Sequence, residues 1–239
     1  MTVSTFVRAD RLSLATLFQS KDEFRHNLNG VFIHHAQNGA RLVATNGCQV
    51  AIFKDEEGYT DANRITKLPR EAISAINRSK NMKSLWFGIM GSHEFSGRRE
   101  ARIFDMKLGK CENHKDARDA MEDSIHPGVI WTGAVEIIDG VFPQYERAVP
   151  KHRDNMASAS PLNPKLLDAF AKVARNGGHL CSIILFQGAE LEPILVDCGR
   201  NDFVGALMPM RAETTFDKVE GKIVTPGWAT CGVVSNQES

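Results

Sequence analysis

Asn29 to Phe53 reads NGVFIHHAQNGARLVATNGCQVAIF, and this stretch decides the fold because it predicts successive strands joined by tight turns. Its two hydrophobic runs, Asn29 to His35 and Ala40 to Phe53, are rich in the residue types that favour strands. Asn38-Gly39 between them is the dipeptide most typical of a hairpin turn. Asn46-Gly47 predicts a further turn inside the second run. We therefore expect an antiparallel meander here.

Short helices are predicted before each group of strands. Asp10 to Phe18 has the apolar spacing of an amphipathic helix. Leu68-Pro69 opens a second helix with proline in its first turn, where proline is tolerated. Asn163 to Ala174 predicts a third helix, with an asparagine cap and proline at its first position, which ends at Gly177-Gly178. The order of helix then strands thus occurs three times.

The remaining segments complete this pattern. Further strands are predicted at Ser84 to Ile89, Glu100 to Leu108, Val129 to Ile138, Leu180 to Phe186, Pro193 to Asp197 and Phe203 to Arg211. Cys111 to Gly128 is charged and rich in helix breakers, and we expect either a loop or a loose, mobile helix. Lys151 to Pro161 is polar and is the best candidate for a linker. The pattern weakens after Glu213.

Charge is balanced over the whole chain but not within it. The 239 residues contain 29 Lys and Arg and 29 Asp and Glu, so the chain as a whole is not basic, as a protein that coats nucleic acid would be. Between Arg64 and Lys110 there are eleven basic and four acidic residues. Contact with DNA would have to come from such a local surface. The alternative is that these charges are ordinary solvated helix faces.

Several classes of protein are disfavoured. Residues 1–9 are too polar for a secretion signal and no apolar run approaches the ~18 residues of a membrane span, so we expect a cytoplasmic protein without membrane contact. The five cysteines are scattered, which is typical of reduced thiols. Gly91 to Gly97 lacks the ending of a phosphate-binding loop. Cys111 and His114 are at most half of a metal site. We predict no catalytic residues, metal or cofactor.

Four segments together resemble a known family, the beta subunit (sliding clamp) of bacterial DNA polymerase III. Asp22 to Ile33 (DEFRHNLNGVFI) is similar to the segment that opens the middle domain of the clamp, and Leu42 to Ile52 (LVATNGCQVAI) to the strands after it. Ile138 to Pro150 (IDGVFPQYERAVP) resembles the end of that domain. Asn163 to Ala169 (NPKLLDA) and Leu207 to Arg211 (LMPMR) resemble the second half of the last domain.

The resemblance implies a fold and a domain division. The fold would be α+β and DNA-clamp-like, with curved antiparallel sheets outside and short helices lining an inner face. Residues 1–153 would form a region like the middle domain, residues 154–212 part of a last domain, and residues 213–239 an extra tail. The first domain of the family and the first half of the last have no counterpart. Since those parts form the usual head-to-tail interface, the resemblance does not by itself imply a closed ring.

The resemblance also implies a hydrophobic pocket for short linear peptides of DNA polymerases and other replication proteins. By stretch-by-stretch matching, its residues would be Leu28, Thr45, Gly47, Gln49, Val50, Pro143, Arg147, Ala148, Ala206, Met208, Pro209 and Met210. Where the family usually has an acidic residue, then Gly, His and Arg, this chain has Asn46, Gly47, Cys48 and Gln49. A basic group of the pocket is therefore missing. Read without the family, Met208 to Met210 could equally end a core strand.

The inner face implied by the resemblance needs cations on helices. Helix positions outside the predicted apolar stripes supply Arg70, Arg78, Lys80, Lys165, Lys172 and Arg175. These would contact double-stranded DNA through its phosphates, independently of sequence.

The function predicted from the sequence is that of a sliding-clamp-like processivity or recruitment factor in DNA replication. It would tether its partners to DNA. We expect it to form a homo-oligomer, and a clamp loader would be a further partner. One alternative is a decoy or regulator that binds the same peptides without encircling DNA. Another is an enzyme on an unrelated fold.

Overall fold

The computed structural model describes residues 2–91, 97–150, 161–176, 182–188 and 192–210, together with two short paired segments beyond them. Its helices are α1 (Ala9–Ala15), α2 (Arg70–Arg78), α3 (Met106–Gly109), α4 (His114–Met121) and α5 (Pro164–Arg175). Its first strands are β1 (Val3–Arg8), β2 (Val31–His35), β3 (Ala40–Thr45), β4 (Gln49–Asp55), β5 (Tyr59–Thr60), β6 (Arg64–Lys67) and β7 (Leu85–Met90). The others are β8 (Gly97–Asp105), β9 (Val129–Ile138), β10 (Ile184–Phe186), β11 (Ile194–Asp197), β12 (Phe203–Leu207), β13 (Lys218–Val219) and β14 (Lys222–Ile223).

Two copies of a strand-helix-strands unit exchange their first strands. In the first copy, β1 and α1 precede the meander β2-β3-β4, and in the second, β6 and α2 precede β7-β8-β9. β1 pairs with β7 of the second copy, and β6 pairs with β2 of the first. β6 also pairs with β9 of its own copy and so joins the two meanders into one sheet, while β1 extends the second meander.

A third unit extends the sheet through β4. Helix α5 is followed by the meander β10-β11-β12, and β12 pairs antiparallel with β4 from Phe203↔Phe53 to Leu207↔Gln49. Across the described residues, the result is a twelve-stranded sheet in which every pairing is antiparallel. The prediction of an α+β fold is confirmed.

The two faces of the sheet carry different layers. Alternate residues of a strand point to opposite faces, so Leu42 belongs to one apolar cluster and Val43 to another. The Leu42 side forms the main core, to which α1, α2 and α5 all contribute. The Val43 side forms a smaller cluster, to which two short 3-10 helices, Glu23–Leu28 and Tyr145–Ala148, contribute. Three helices therefore lie on one face, and on the opposite face β3, β4 and β12 are covered by Leu28 and by the segment from Phe142 to Val149.

Local signals explain why α5 forms where it does. The side chain of Asn163 accepts a hydrogen bond from the N–H of Lys165 at 3.0 Å, which satisfies one of the free donors of the first turn. Pro164 follows at the first helical position. Phe170 and Val173 are fully buried on the core side of the helix. The predicted third helix is confirmed.

The structure differs from the sequence prediction in several places, one of which is the predicted strand Glu100 to Leu108: β8 ends at Asp105 and Met106 begins α3. β1 and β6 were not predicted, because their pairing partners lie far away in the sequence. Pro69 is the residue before α2, not part of its first turn. The predicted strand Phe203 to Arg211 ends at Leu207 in β12.

Of the two alternatives for Cys111 to Gly128, the structure shows the helix. α4 has an asparagine cap, Asn113, and buries Ala117 and Met121 against Val3, Phe6 and Trp86. These contacts hold α4 on the face of the sheet away from α1 and α2, whereas the expected mobility of the segment stays a prediction. The predicted linker at 151–160 and the turn at Gly177-Gly178 lie outside the described residues, as does the tail apart from β13 and β14.

Candidate functional site

A shallow apolar pocket lies where the start of β4 meets the end of β12. The two strands are in register, with Ala206 opposite Val50 and Leu207 opposite Gln49. Directly after β12, the N–H of Met208 donates to the carbonyl oxygen of Cys48 at 2.8 Å, and this hydrogen bond keeps the two segments side by side. The cavity between these segments has a volume of about 80 Å³.

A rigid turn forms one wall of this pocket. The hydroxyl of Thr45 donates to the carbonyl oxygen of Gln49 at 2.7 Å and accepts from the N–H of Gly47 at 3.1 Å. The side-chain oxygen of Asn46 accepts from the N–H groups of Cys48 and Gln49 at 3.0 and 3.1 Å. Gly47 has a φ of +88°, a conformation that residues with a side chain rarely adopt. The Asn-Gly step therefore fixes the shape of this wall.

The structure brings most of the predicted pocket residues together. Those that line the cavity are Thr45, Gly47, Gln49, Val50, Ala148, Ala206 and Met208. Sequence reasoning missed Cys48, Pro193 and Leu207, which also line it. Pro193 comes from the turn before β11, and only its position in the folded sheet connects it to the pocket.

The other predicted pocket residues lie around the cavity and not in its wall. Leu28 is buried in the apolar cluster beneath, together with Val50 and Ala206. Pro143 and Arg147 are exposed on the segment that leads to Ala148. Pro209 and Met210 follow Met208; Met210 is 44% exposed, and its N–H donates to the carbonyl oxygen of Pro161 at 2.8 Å.

The cluster beneath the pocket gives it a firm base. The rings of Phe32 and Phe142 stack with centroids 4.8 Å apart. The hydroxyl of Tyr145 lies 2.7 Å from Nε2 of His34. Burial raises the pKa of Tyr145 to about 12, so its hydroxyl stays protonated at neutral pH. These contacts tie the segment carrying Ala148 to β2.

The wall of the cavity is electrically neutral. Among the described residues that line it, none is Lys, Arg, Asp or Glu. The guanidinium of Arg25 lies over the turn: its Nη1 donates to the carbonyl oxygen of Asn46 at 3.2 Å, and the side chain is 54% exposed beside Asp22. The arrangement is suited to an apolar side chain of a ligand, with polar contacts at the rim.

The predicted DNA contacts lie on the opposite face, on the helices and at their ends. All six are exposed: Arg70, Arg78, Lys80, Lys165, Lys172 and Arg175. Lys172 is paired with Asp168 at 2.7 Å, within α5. Arg78 and Arg175 each donate to a carbonyl oxygen one turn earlier in their own helices.

Two adjoining cavities show how the ends of these helices converge. Their volumes are about 440 and 390 Å³, and both are lined by Asp10, Lys83 and Asn176. Asp10 belongs to α1 and Asn176 directly follows α5, while Lys80, which follows α2, lines the larger cavity. The cations along the two cavities are Arg8, Arg11, Lys80, Lys83, Lys107 and Arg200. Only Lys80 among them is one of the six predicted DNA contacts; Lys83 and Lys107 lie in the same basic stretch from Arg64 to Lys110, and the three arginines come from other segments.

The described residues form neither a grouped metal site nor an activated thiol. Cys111 and His114 have no further ligands to complete a metal site: among the described residues, no three His, Cys, Asp or Glu side chains are grouped as metal ligands. Burial raises the pKa of the Cys111 thiol, which disfavours the reactive thiolate. Within the same part of the chain, no helix is long and apolar enough to cross a membrane.

Comparison with known sequences finds neither a matching family profile nor a matching curated protein. Solved structures, in contrast, do match. The beta subunit of DNA polymerase III from Thermotoga maritima has a TM-score of 0.57 at 16% identity, over 89% of this chain and 67% of that one. The Helicobacter pylori beta clamp bound to a DNA ligase peptide has a TM-score of 0.55 at 13% identity, with the same coverage of both chains.

A third match is the DnaN sliding clamp of Bartonella birtlesii bound to griselimycin, with a TM-score of 0.53 at 16% identity. It covers 87% of this chain and 66% of that one. The chain therefore spans about two thirds of the length of these structures. At these identities the likeness shows the fold, which is that of the bacterial sliding clamps.

Proposed function

We propose that this chain, with its sliding-clamp fold, acts as a DNA-tethering factor that catalyses no reaction itself. One surface would contact double-stranded DNA, and the pocket on the opposite face would hold a short segment of a replication protein. The observation that carries the proposal is that the neutral pocket and the exposed cations lie on opposite faces of one continuous sheet. A partner bound at the pocket would then leave the helix face free for DNA.

Contact with DNA is supported by the kind of charge that the helix face presents. Its cations are exposed and lie on separate helices, as suits a phosphate backbone, which has no single small docking point. Phosphate contacts position a protein without reading the bases. Binding should therefore be independent of sequence and should weaken steeply with salt.

Capture of a peptide is supported by the pocket and by two structural neighbours. The Helicobacter pylori clamp was solved with a DNA ligase peptide, and the Bartonella birtlesii clamp with griselimycin. Holding an enzyme beside its template raises the effective concentration of one for the other. A tether of this kind needs no catalytic group.

Self-association is supported by two open sheet edges. β9 pairs with β8 along its length but with β6 only from Glu136 to Ile138, so within the described residues Val129–Val135 has one neighbouring strand. β10 pairs only with β11 in the same part of the chain, and Ile184, Leu185 and Phe186 are 48%, 38% and 42% exposed. Open apolar edges readily pair with another chain. Because the two edges differ, they could join head to tail, which closes a ring if the rotation allows it.

Light scattering after size-exclusion chromatography tests the assembly, and nicked circular DNA tests the tether. We expect an oligomer that remains on circles and is released when they are linearised. A monomer that binds peptides but is not retained on circles would support a decoy or regulator instead. A clamp loader, where the assembly requires one, would be added to both DNA forms alike.

The DNA face is tested by matched charge reversals. Arg78→Glu lies on the helix face, whereas Lys115→Glu lies on α4, which packs on the other side of the sheet. Both change the net charge equally. Arg78→Glu should weaken binding to any duplex and lower the salt slope by about one, and Lys115→Glu should not. Equal effects of the two substitutions would contradict the proposed face.

A further inference from the structure

We infer that the larger of the two cavities at the helix ends binds a small anion with linked phosphates, such as pyrophosphate or a nucleoside diphosphate. This inference goes beyond the proposed function and does not depend on it, because a DNA backbone contains single phosphates and no linked ones. The cavity has a volume of about 440 Å³, which lies in the ~300–1,000 Å³ range of small-molecule sites. Three exposed lysines line it: Lys80, Lys83 and Lys107.

The three lysines give the cavity unpaired positive charge. The arginines nearby already have carboxylate partners, since Arg8 pairs with Asp10. Asp202 likewise pairs with both Arg11 and Arg200. Among the described residues, no carboxylate forms an ion pair with any of the three lysines. A recess lined by charges of one sign concentrates counter-ions, so an anion bound there would relieve the repulsion between the lysines.

The amount of charge favours two linked phosphates over a single one. A phosphate monoester carries about 1.5–2 negative charges at pH 7, which leaves about one of the three lysine charges uncompensated. A second, linked phosphate adds about one further negative charge and more acceptor oxygens. The acid that also lines this cavity, Asp10, is opposed by Arg8, whose Nε lies 3.4 Å from Oδ1 of Asp10. The lysine side of the cavity therefore suits the linked phosphates.

Hydrogen bonds fix the segment that supplies most of the wall. Residues 79–84 follow α2, and all six line the cavity. The N–H of Ser84 donates to the carbonyl oxygen of Asn81 at 2.8 Å, and the N–H of Asn81 donates to Oγ of Ser79 at 3.2 Å. Nζ of Lys107, in α3, donates to the side-chain oxygen of Asn81 at 3.2 Å. Because the wall is largely preformed, less ordering is needed when a ligand binds.

Isothermal titration calorimetry of the full chain at constant ionic strength tests the ligand with pyrophosphate, adenosine diphosphate and orthophosphate. We expect the first two to bind about tenfold or more tightly than orthophosphate, because the second phosphate can form charge-assisted hydrogen bonds with a further lysine. Tighter binding of adenosine diphosphate than of pyrophosphate would identify a nucleotide as the ligand. The reverse order would identify the inorganic anion, and either order supports the site. Each affinity should fall as salt is raised.

Lys83→Met tests the site itself, because methionine keeps much of the aliphatic stem and removes the charge. It should weaken pyrophosphate binding about three- to tenfold, between the losses expected for a screened surface pair and for a charge-assisted hydrogen bond. Lys115→Met is the matched control, since it removes the same charge from an exposed lysine of α4, on the other face of the sheet. It should leave the affinity for pyrophosphate unchanged.

Three results would overturn the inference. Equal affinities for orthophosphate and pyrophosphate would show that linked phosphates are not recognised. Equal effects of Lys83→Met and Lys115→Met would show a general attraction and no site. If pyrophosphate does not bind but Lys83→Met weakens binding to a duplex with hydroxyl ends, the lysines belong to the DNA face, and the proposed function stands. Pyrophosphate binding by a chain that is not retained on circular DNA would instead support the inference and contradict the proposed tether.

Discussion

Replacing Arg11 with methionine should destabilise the junction of the first and third units. Nη1 of Arg11 lies 2.8 Å from Oδ1 of Asp55, and its Nε lies 2.7 Å from Oδ2 of Asp202. Asp55 ends β4 and is fully buried, whereas Asp202 directly precedes β12. One guanidinium of α1 thus joins the two strands whose pairing forms the pocket.

The expected loss of stability follows from the hydrogen bonds that each carboxylate retains in the variant. Asp202 keeps two hydrogen bonds from Arg200, at 2.8 and 2.9 Å. Asp55 keeps the N–H of Arg8 at 2.7 Å but loses its closest cation. Removing one partner of a buried ion pair typically costs about 3–5 kcal/mol. Because one carboxylate stays paired and methionine keeps the aliphatic stem, we expect about 3 kcal/mol at pH 7.

The loss should depend on pH. Burial raises the pKa of Asp55 above its usual value, against the lowering effects of Arg8 and Arg11. Without Arg11 that pKa should rise further. A raised pKa penalises the folded state only where the carboxylate ionises, so the destabilisation should shrink as the pH falls towards 4. In Arg11→Met/Asp55→Asn the charge is gone, and the double variant should be at least 1 kcal/mol more stable than the sum of the single changes implies.

Urea denaturation gives the free energies of unfolding, and hydrogen exchange locates the effect. Exchange should accelerate in β12 more than in β7 or β8. The control is Arg78→Met, which makes the same substitution at an exposed position of α2 and should cost less than about 0.5 kcal/mol. A loss for Arg11→Met no larger than the control, or strict additivity with Asp55→Asn, would refute the reasoning.

Three further predictions concern other contacts of the same layers. Gly205→Ala should destabilise the chain by about 2 kcal/mol in urea denaturation, because a Cβ there would lie 2.4 Å from Cε1 of Phe170; a neutral result would show that the ring can move. Burial alone would raise the pKa of Asp202, but two arginines lower it, so its contribution to stability is present above pH 4 and lost on acidification. Asp202→Asn should therefore flatten the acid limb of the stability curve, and an unchanged limb counts against the pairing. Tyr145→Phe should remove the phenol ionisation near pH 12 in an ultraviolet titration; if that step persists, the assignment is wrong.

Much of the secondary structure could be predicted from local signals. Asn163 and Pro164 mark the start of α5 by chemistry that acts within one turn. Asn38-Gly39 marks the hairpin between β2 and β3, and β9 was predicted with its observed limits of Val129 and Ile138. In each case the stabilising hydrogen bonds or spacing patterns lie within a few residues of one another.

The candidate pocket could be predicted only in part. The turn from Thr45 to Gln49 is stabilised by hydrogen bonds between residues three or four positions apart, and the family resemblance identified its sequence motif. Pro193 was missed because nothing near it in the sequence indicates a binding surface. Met210 was expected in the wall, but it does not line the cavity, and its N–H donates to the carbonyl oxygen of Pro161.

By itself, the sequence determined α1, α2 and α5, the Asn-Gly turns and the alternation of most strands, because these depend on backbone and side-chain preferences over a few residues. Only the tertiary structure decided which strands pair when they are distant in the sequence. β1 meets β7 across the two units, and Arg11 meets Asp202 across 191 positions. Such contacts gain their free energy from burial and hydrogen bonds that exist only once distant segments have met. The same long-range pairing of β12 with β4 places the pocket on one face of the sheet and the helices on the other.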